Sequence, residues 1–494
     1  MKRATPPKGS PVHLPSPPAE RREPDGPQEG TARTTGGQVG MPSVFSILNV
    51  GIGPSSSHTT GPLRAAQDFR RELASRDLPV GRIRVTLLGS LALTGRGHLT
   101  DLAITAGLAG YELSERPAAS IQASYQAVRA AGEVEIAGRR FPFDPDLDIL
   151  FDPSFDALPH PNTLRMALLV EDETPRFEQE YRSIGGGAVE GGSLPPTPTR
   201  GATETGLSMD RLLDACLDRG IGLPALIREN EDSVHGLGPD EVRRRLDLLW
   251  GAMTDSIESG LRTEGLLPGR LKLERRAPEL LEHLQGSLRS GRILSHETTL
   301  AAIYAVAVAE ENAAGGRIVM APTCGSAGIL PAVLKLLEER LLLPAERVHD
   351  ALLVAGIVGA IVAAKASIAG AEVGCQGEVG TACAMAAAAA CQVLGGSVPQ
   401  VEAAAEMALE HHLGLTCDPV CGLVQIPCIE RNAAAAVSAL SAASLSLLGS
   451  GRHQISFDRA VATMRRIGTD MDRKYKETSL GGLALSADPD APPA

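Results

Sequence analysis

Apolar and polar positions along this chain follow two rhythms. Arg82–Gly89 alternates with the period of two that marks a half-buried strand. Leu164–Glu171 and Glu178–Ile184 read the same way, and Arg317–Met320 is a short strand-like run. Gly61–Arg76 instead carries apolar residues at helical spacing. Another helix is predicted from Thr100, after Leu91–Arg96 and a turn at Gly97-His98. Gln122–Ala130, a turn at Ala131-Gly132 and Glu133–Phe141 carry a weaker pattern. Strands alternating with helices predict a small α/β domain over residues 41–190.

From Leu207 the spacing is helical almost throughout. The predicted helices are Met209–Asp218, Pro224–Asp232, Pro239–Ser259, Ala301–Asn312, Pro331–Leu342, Ala345–Ser367, Val379–Val393, Val401–His412, Ala433–Leu448 and Asp458–Ile467. Glycine or proline punctuates most of them. The fold class is therefore α+β overall: a small α/β N-terminal domain, then a mostly α-helical catalytic domain over 207–485. Gly185-Gly186-Gly187 and a stretch rich in Gly, Pro and Thr mark a boundary and a linker at 191–206. Residues 1–40 are rich in Pro, Gly, Thr, Arg and Glu without apolar periodicity, and are expected to be a disordered extension. Residues 486–494 are expected to be a flexible tail.

Composition narrows the function classes. Net charge is −12, which argues against a nucleic-acid surface. Aromatic residues make up only 3%, so Ala, Leu and Val must fill the core, which favours closely packed helices. The N-terminus lacks the apolar run of a signal peptide. Ala351–Ala371 comes closest to a membrane span, but Lys365 interrupts it and Ala and Gly dilute it, so a buried helix is expected and no membrane. The eight cysteines do not form a small secreted scaffold. A reduced, cytoplasmic enzyme is the expectation.

Six of those cysteines lie between Gly370 and Asn432. Cys383 and Cys391 sit in an Ala-rich helical run and read as small hydrophobes. Cys375 lies in a Gly-rich turn, Cys417 follows the helix stop at Gly414, and Cys428 follows Pro427 before a charged helix start. Thiolates on irregular backbone beside glycine and proline suit a metal cluster, whose sulfurs accept backbone N–H bonds. Their spacing alone is neither a zinc ribbon nor a bacterial ferredoxin run, so a cluster and free structural thiols both stand on this ground.

Histidines and hydroxyls supply the other chemistry. Ser55, Ser56, Ser57, His58 and Thr59 crowd a Gly/Pro loop that lacks the Gly-Lys-Ser/Thr ending of a phosphate loop. The serines read either as caps for the next helix or as groups that bind a small carboxylate or amino group. His98 and His160 are turn histidines. Thr323, Cys324, Gly325 and Ser326 lie between a strand and a helix, where their N–H groups suit a carboxylate. Lys365 shows no pyridoxal-type phosphate loop, so no pyridoxal phosphate is expected.

The words GAEVGCQGEVG (Gly370–Gly380) and LTCDPVCGLVQIPCIERN (Leu415–Asn432) resemble the iron-sulfur-dependent L-serine dehydratases (L-serine ammonia-lyases) of single-chain type. FSILNVGIGPSSSHTTGP (Phe45–Pro62), APTCGSAGILPAVL (Ala321–Leu334) and KYKETSLGGLA (Lys474–Ala484) agree, so the resemblance spans roughly Pro42–Ala484. It implies an N-terminal domain akin to the substrate-sensing domain of some phosphoglycerate dehydrogenases. It also implies a 4Fe-4S cluster on Cys375, Cys417 and Cys428, a homodimer, and deaminating dehydration of L-serine to pyruvate and ammonia. Three thiolates leave one iron open as a Lewis acid for the β-hydroxyl. His58 and His98 are the candidates for the α-proton base and its partner. Ser55, Ser56, Ser57, Thr59, His160, Thr323, Gly325 and Ser326 are the candidates that hold substrate.

The chain departs from that pattern at Cys324, where many relatives carry asparagine, and at Cys421; both leave the ligand set open. Some relatives plug the open iron with a C-terminal cysteine. Asp488–Ala494 contains none, so no plug is expected. Competing readings are an aconitase-type hydro-lyase on another small hydroxy acid, a non-catalytic iron-sulfur sensor, and an amino-acid-binding module.

Overall fold

The structure, a computed structural model, describes residues 40–111, 119–170, 174–194, 207–287 and 295–486. The predicted extension up to residue 39, linker residues 195–206 and tail residues 487–494 lie outside the described residues. Its larger sheet has five strands in the order Ile149–Asp152, Arg82–Leu88, Thr163–Leu169, Pro175–Gly185, Ala188–Gly191. The first pair runs parallel, with Val85 opposite Ile149, and the other pairings are antiparallel. Alternation in Arg82–Leu88 places Ile83, Val85 and Leu87 on the buried face. They pack with Phe69 and Leu73 of the Gly61–Ser75 helix and with Ile104 and Leu108 of Thr100–Leu108. The Glu133–Ile136/Arg139–Pro142 hairpin sends Val134, Ile136 and Phe141 into the same core.

The remaining chain is helical, with Thr381–Val393 at its centre. Every residue of that helix except Gln392 is buried. Its neighbours are Ala345–Lys365, Val398–Glu410, Cys428–Leu448 and Ile329–Leu341. Alanine at most positions lets the helices approach closely, while the branched residues of Ala345–Lys365 fill the gaps. Each fully buried Val, Leu or Ile there contributes roughly 1.5–3 kcal/mol relative to exposure. Ala345–Lys365 is long and apolar enough to cross a membrane, yet 78% of its apolar window is buried inside the protein. Cys383 and Cys391 are fully buried in the central helix, as their context predicts.

Predicted and observed elements differ where the local signal is weak. The strands Ile149–Asp152 and Ala188–Gly191 and the helix Ala277–Ser287 were not predicted. The strands are four residues each, too short to show a period. The strand Arg317–Met320 pairs antiparallel with Asn49–Ile52, and no pattern in either segment announces that partner. Because the pair is antiparallel, its two outgoing loops, Gly53–Thr59 and Ala321–Ser326, leave it at opposite ends.

Candidate active site

Loops from distant parts of the chain converge on one cavity, to which the first of these loops gives Pro54 and Ser55 and the second gives Gly325. A cis peptide bond precedes Pro54, Pro322 and Pro427, one in each of three loops of the site. One cavity is lined by Pro54, Ser55, His98, Gly325, Cys375, Glu378, Cys417, Pro419, Val424, Cys428 and Glu477. It therefore brings together all three thiols singled out as cluster ligands. Cys375 caps a π-helical turn, Gln376–Gly380, which leads into the central helix. Cys417 lies on extended backbone, donating its N–H to Tyr475 at 2.8 Å and accepting from Glu477 N at 2.8 Å. Cys428, read from the sequence as preceding a helix, is the first residue of Cys428–Leu448.

The thiols are free and share their environment. Sγ of Cys375 and Cys417 and a carboxylate oxygen of Glu378 lie within 4.8 Å of one another. A hydrogen bond from Cys417 holds the Cys375 thiol below its usual range, and that bond together with burial pushes Cys417 up. Burial, then Cys375, raises Cys428. The cation beside them is Arg431, whose fork donates to the Thr416 carbonyl at 2.7 Å and to Asp418 at 3.0 Å. Burial opposes its charge, yet Cys375 and Cys428 hold its pKa above the ordinary value. Three thiols outside any disulfide, facing one cavity next to a half-buried guanidinium, are a donor set suited to a thiolate-held cluster.

Gly370 lets the backbone pass close to the thiols. A Cβ on Gly370 would meet Glu378 Oε2 at 2.6 Å and Cys417 Sγ at 3.1 Å. Asn432, one turn into the Cys428 helix, donates to the carbonyls of Gly325 at 2.7 Å and Cys428 at 2.8 Å. It also accepts from Gly328 N at 3.0 Å, and so fastens the Thr323–Gly328 loop to the cysteine helix.

The histidines form a second layer. His98 faces the cavity, and its ring centroid is 4.5 Å from that of His58. Thr94 gives its hydroxyl proton to the Ser90 carbonyl at 3.1 Å, so its oxygen accepts from His98 Nδ1 at 3.1 Å. That fixes the proton on Nδ1 and leaves the Nε2 lone pair for the cavity. His58 is held on both nitrogens. Ser90 donates to the Glu477 carbonyl at 2.7 Å, so His58 Nε2 donates to Ser90 Oγ at 3.1 Å. Nδ1 of His58 then faces Ser57 Oγ at 2.9 Å and Glu477 at 3.3 Å. Burial holds His58 down to about 3, and burial followed by His58 itself holds His98 well below the usual imidazole range. Both rings are neutral at ordinary pH.

Other predicted positions are placed less centrally. Ser55 Oγ accepts from His58 N at 3.1 Å and so caps the turn, and Ser55 also lines the cavity. Thr59 donates to the His98 carbonyl at 2.6 Å and secures the two histidine loops. Ser56 is buried in the same turn. Thr323 and Ser326 pair hydroxyls at 3.1 Å, and Gly325 alone of that loop lines the cavity. His160 is not among the lining residues; its Nε2 lies 3.2 Å from Glu372. Cys324 turns away, its Sγ 3.5 Å from the Ile52 carbonyl, and burial pushes its thiol up to about 12. Cys421 is not among the lining residues. Lys365 pairs with Asp458 at 2.8 Å and is not a lining residue.

Two acids of the site were missed. Glu477 is buried and Glu378 half-buried in the cavity wall; desolvation raises the Glu378 carboxyl and holds that of Glu477 well above the ordinary carboxylate range. Oε2 of Glu477 has no hydrogen-bond partner. Each is a charge inside a Gly-rich word already singled out for its cysteine or its length, and that was the available signal.

The fold and this convergence of thiols, imidazoles and acids define an enzyme of the serine dehydratase class. Residues 43–192 match the serine dehydratase beta chain family model, and residues 218–484 match the serine dehydratase alpha chain model. The chain is 41% identical to an L-serine dehydratase of Haemophilus influenzae, over 90% of this chain and 99% of that protein. It is 42% identical to L-serine dehydratase 2 of Escherichia coli K12, over 90% and 99%, and 42% identical to an L-serine dehydratase of Streptomyces coelicolor, over 90% and 98%. This chain belongs to the L-serine dehydratase family, as a single polypeptide carrying both the beta-chain and alpha-chain regions, and it is a lyase.

Proposed function

We propose that this chain converts L-serine to pyruvate and ammonia by eliminating the β-hydroxyl, with a 4Fe-4S cluster held by Cys375, Cys417 and Cys428. The observation that carries this reading is that these thiols share one cavity with the open Nε2 of His98 and the unpartnered carboxylate oxygen of Glu477. A cluster on three thiolates supplies an iron without a protein ligand, a Lewis acid that makes hydroxide a better leaving group.

The chain's own groups do the rest. Glu477 and Glu378 hold the substrate ammonium, which supplies the counter-charge that burial denies them. Ser55 and the Gly325 turn hold the carboxylate. With both ends fixed, the α C–H bond is aimed at one base. His98 takes the α-proton at Nε2, since Thr94 keeps its other nitrogen protonated. His58, engaged on both nitrogens, is a positioning residue that packs His98 from behind. Arg431 offsets thiolate charge. The aminoacrylate released becomes an imine, and water yields pyruvate and ammonia.

The test is anaerobic reconstitution with iron and sulfide, a cluster spectrum, and a pyruvate assay with L-serine. It is repeated with Cys375→Ser, Cys417→Ser and Cys428→Ser. Cluster and turnover present in the parent and lost in all three variants are expected. A good cluster without serine turnover favours another hydro-lyase substrate or a sensor, and turnover without iron overturns the mechanism.

A further inference from the structure

A second cavity, of about 450 Å³, abuts the site. Consecutive stretches of chain line the two: Val373 one and Cys375 the other, Lys476 one and Glu477 the other. Its walls are the loop around Phe155, Leu158 and Pro161 and the end of the Phe457–Asp470 helix. Arg465, Arg473 and Lys476 give it three cationic heads, against the one lining carboxylate of Glu372. The Arg473 guanidinium lies over the Phe155 ring at 4.6 Å, and Arg465 reaches the Lys365 carbonyl at 3.4 Å. Burial, and then Arg473, push the Lys476 ammonium below the usual lysine range. Glu372 and, from outside the lining, Asp472 act against that shift, and the lining itself holds three cations to one carboxylate.

We infer that this cavity receives a small monocarboxylate anion that carries no ammonium, the class to which a 2-oxo acid product belongs. An amino acid would bring its ammonium against three cations and gain little. A bare carboxylate gains from all of them. The inner site differs in its lining, which has Glu378 and Glu477 and no lysine or arginine. An anion formed there meets no lining cation where it arises and three next door. The cavity is open and larger than a three-carbon acid, so exchange is fast and binding is weak, as release requires. The identity of the anion as the oxo acid rests on the elimination proposed above; the selectivity of the cavity rests on its own charges.

The test is arginine labelling by phenylglyoxal in the cluster-loaded protein, read by peptide mass spectrometry. Pyruvate or lactate is expected to slow labelling of Arg465 and Arg473 about fivefold at roughly four times its dissociation constant. L-alanine, a zwitterion of the same size, is expected to leave the rate unchanged. Equal protection by L-alanine, stronger protection by inorganic phosphate, or none by pyruvate would overturn the inference. In a second arm, pyruvate inhibits serine turnover noncompetitively in the parent, and Arg465→Ala/Arg473→Ala abolishes that inhibition while kcat and KM for L-serine stay within about twofold. Competitive inhibition, or inhibition unchanged in the variant, would also overturn it. Labelling needs no turnover, so protection without serine turnover would sink the elimination and leave the anion site standing.

Discussion

Glu477 presents a carboxylate oxygen 3.3 Å from Nδ1 of His58, while its backbone carbonyl accepts from the same Ser90 that holds Nε2 of that ring. A C-terminal segment thus locks an N-terminal imidazole from both sides. The other carboxylate oxygen is buried without a partner. In the proposed function the substrate ammonium is its partner.

Glu477→Gln keeps the shape and removes the charge. Hydrogen bonds to charged groups contribute about 1.5–3 kcal/mol, so KM for L-serine is expected to rise roughly ten- to a hundredfold. Cluster absorbance should be retained. Steady-state kinetics check this, together with inhibition by 3-hydroxypropionate, which lacks the amino group and should bind the variant as well as it binds the parent.

Removing a general base typically costs about 10²–10⁴ in rate. His98→Asn is therefore expected to lower kcat by that factor, with KM little changed. His58→Asn, which loses contacts on both nitrogens, should raise KM and lower kcat more modestly. Exchange of the α-proton of L-serine with deuterated solvent separates the roles: His98→Asn should abolish it, and His58→Asn should only slow it.

Gly370→Ala places a methyl against Glu378 and Cys417 at 2.6 and 3.1 Å. Both side-chain ends must shift toward the cavity to make room, and overpacking of up to about 1–3 kcal/mol is expected, displacing the thiol itself. Iron and sulfide content after reconstitution should fall well below that of the parent. Cys324→Ala, at a thiol that turns to the Ile52 carbonyl, should keep the full content.

The elements of this fold were legible where the period was long. Ala345–Lys365 and Arg82–Leu88 end within two residues of their predicted limits because Pro344 and a long apolar run mark the one and alternation marks the other. Strands of four residues, such as Ile149–Asp152, carry too few positions to show a rhythm. The cysteines were legible from glycine and proline beside them, and the cavity brings those thiols together. Glu378 and Glu477 were not, because burial of an acid is a tertiary fact: each reads locally as a solvated charge. The tautomer of His98 was equally out of reach, since it depends on where Thr94 sends one proton.

Away from the site, His453 bridges Glu402 and Glu406, with Nδ1 3.7 Å from Glu406. Glu402 also accepts from Phe457 N at 2.6 Å and so fixes the start of the Phe457–Asp470 helix. Burial, then Glu410, pushes Glu406 up to about 7, and one of its oxygens has no partner. Burial raises Glu402, and His453 is raised against burial by Glu402. A carboxyl whose folded pKa exceeds its unfolded value of 4.5 binds its proton more tightly when folded. Its favourable contribution is complete below 4.5 and is lost as pH rises towards about 7. His453 acts in the same direction, since an imidazole raised by carboxylates stabilises most below its unfolded pKa. Glu406→Gln removes the burial of a charge, so the variant should melt higher than the parent at pH 8, by on the order of 1–2 kcal/mol after solvent screening. At pH 4 the two should melt alike. Thermal unfolding across that range checks it, and a gain that is equal at both ends would assign the effect to packing instead of ionisation.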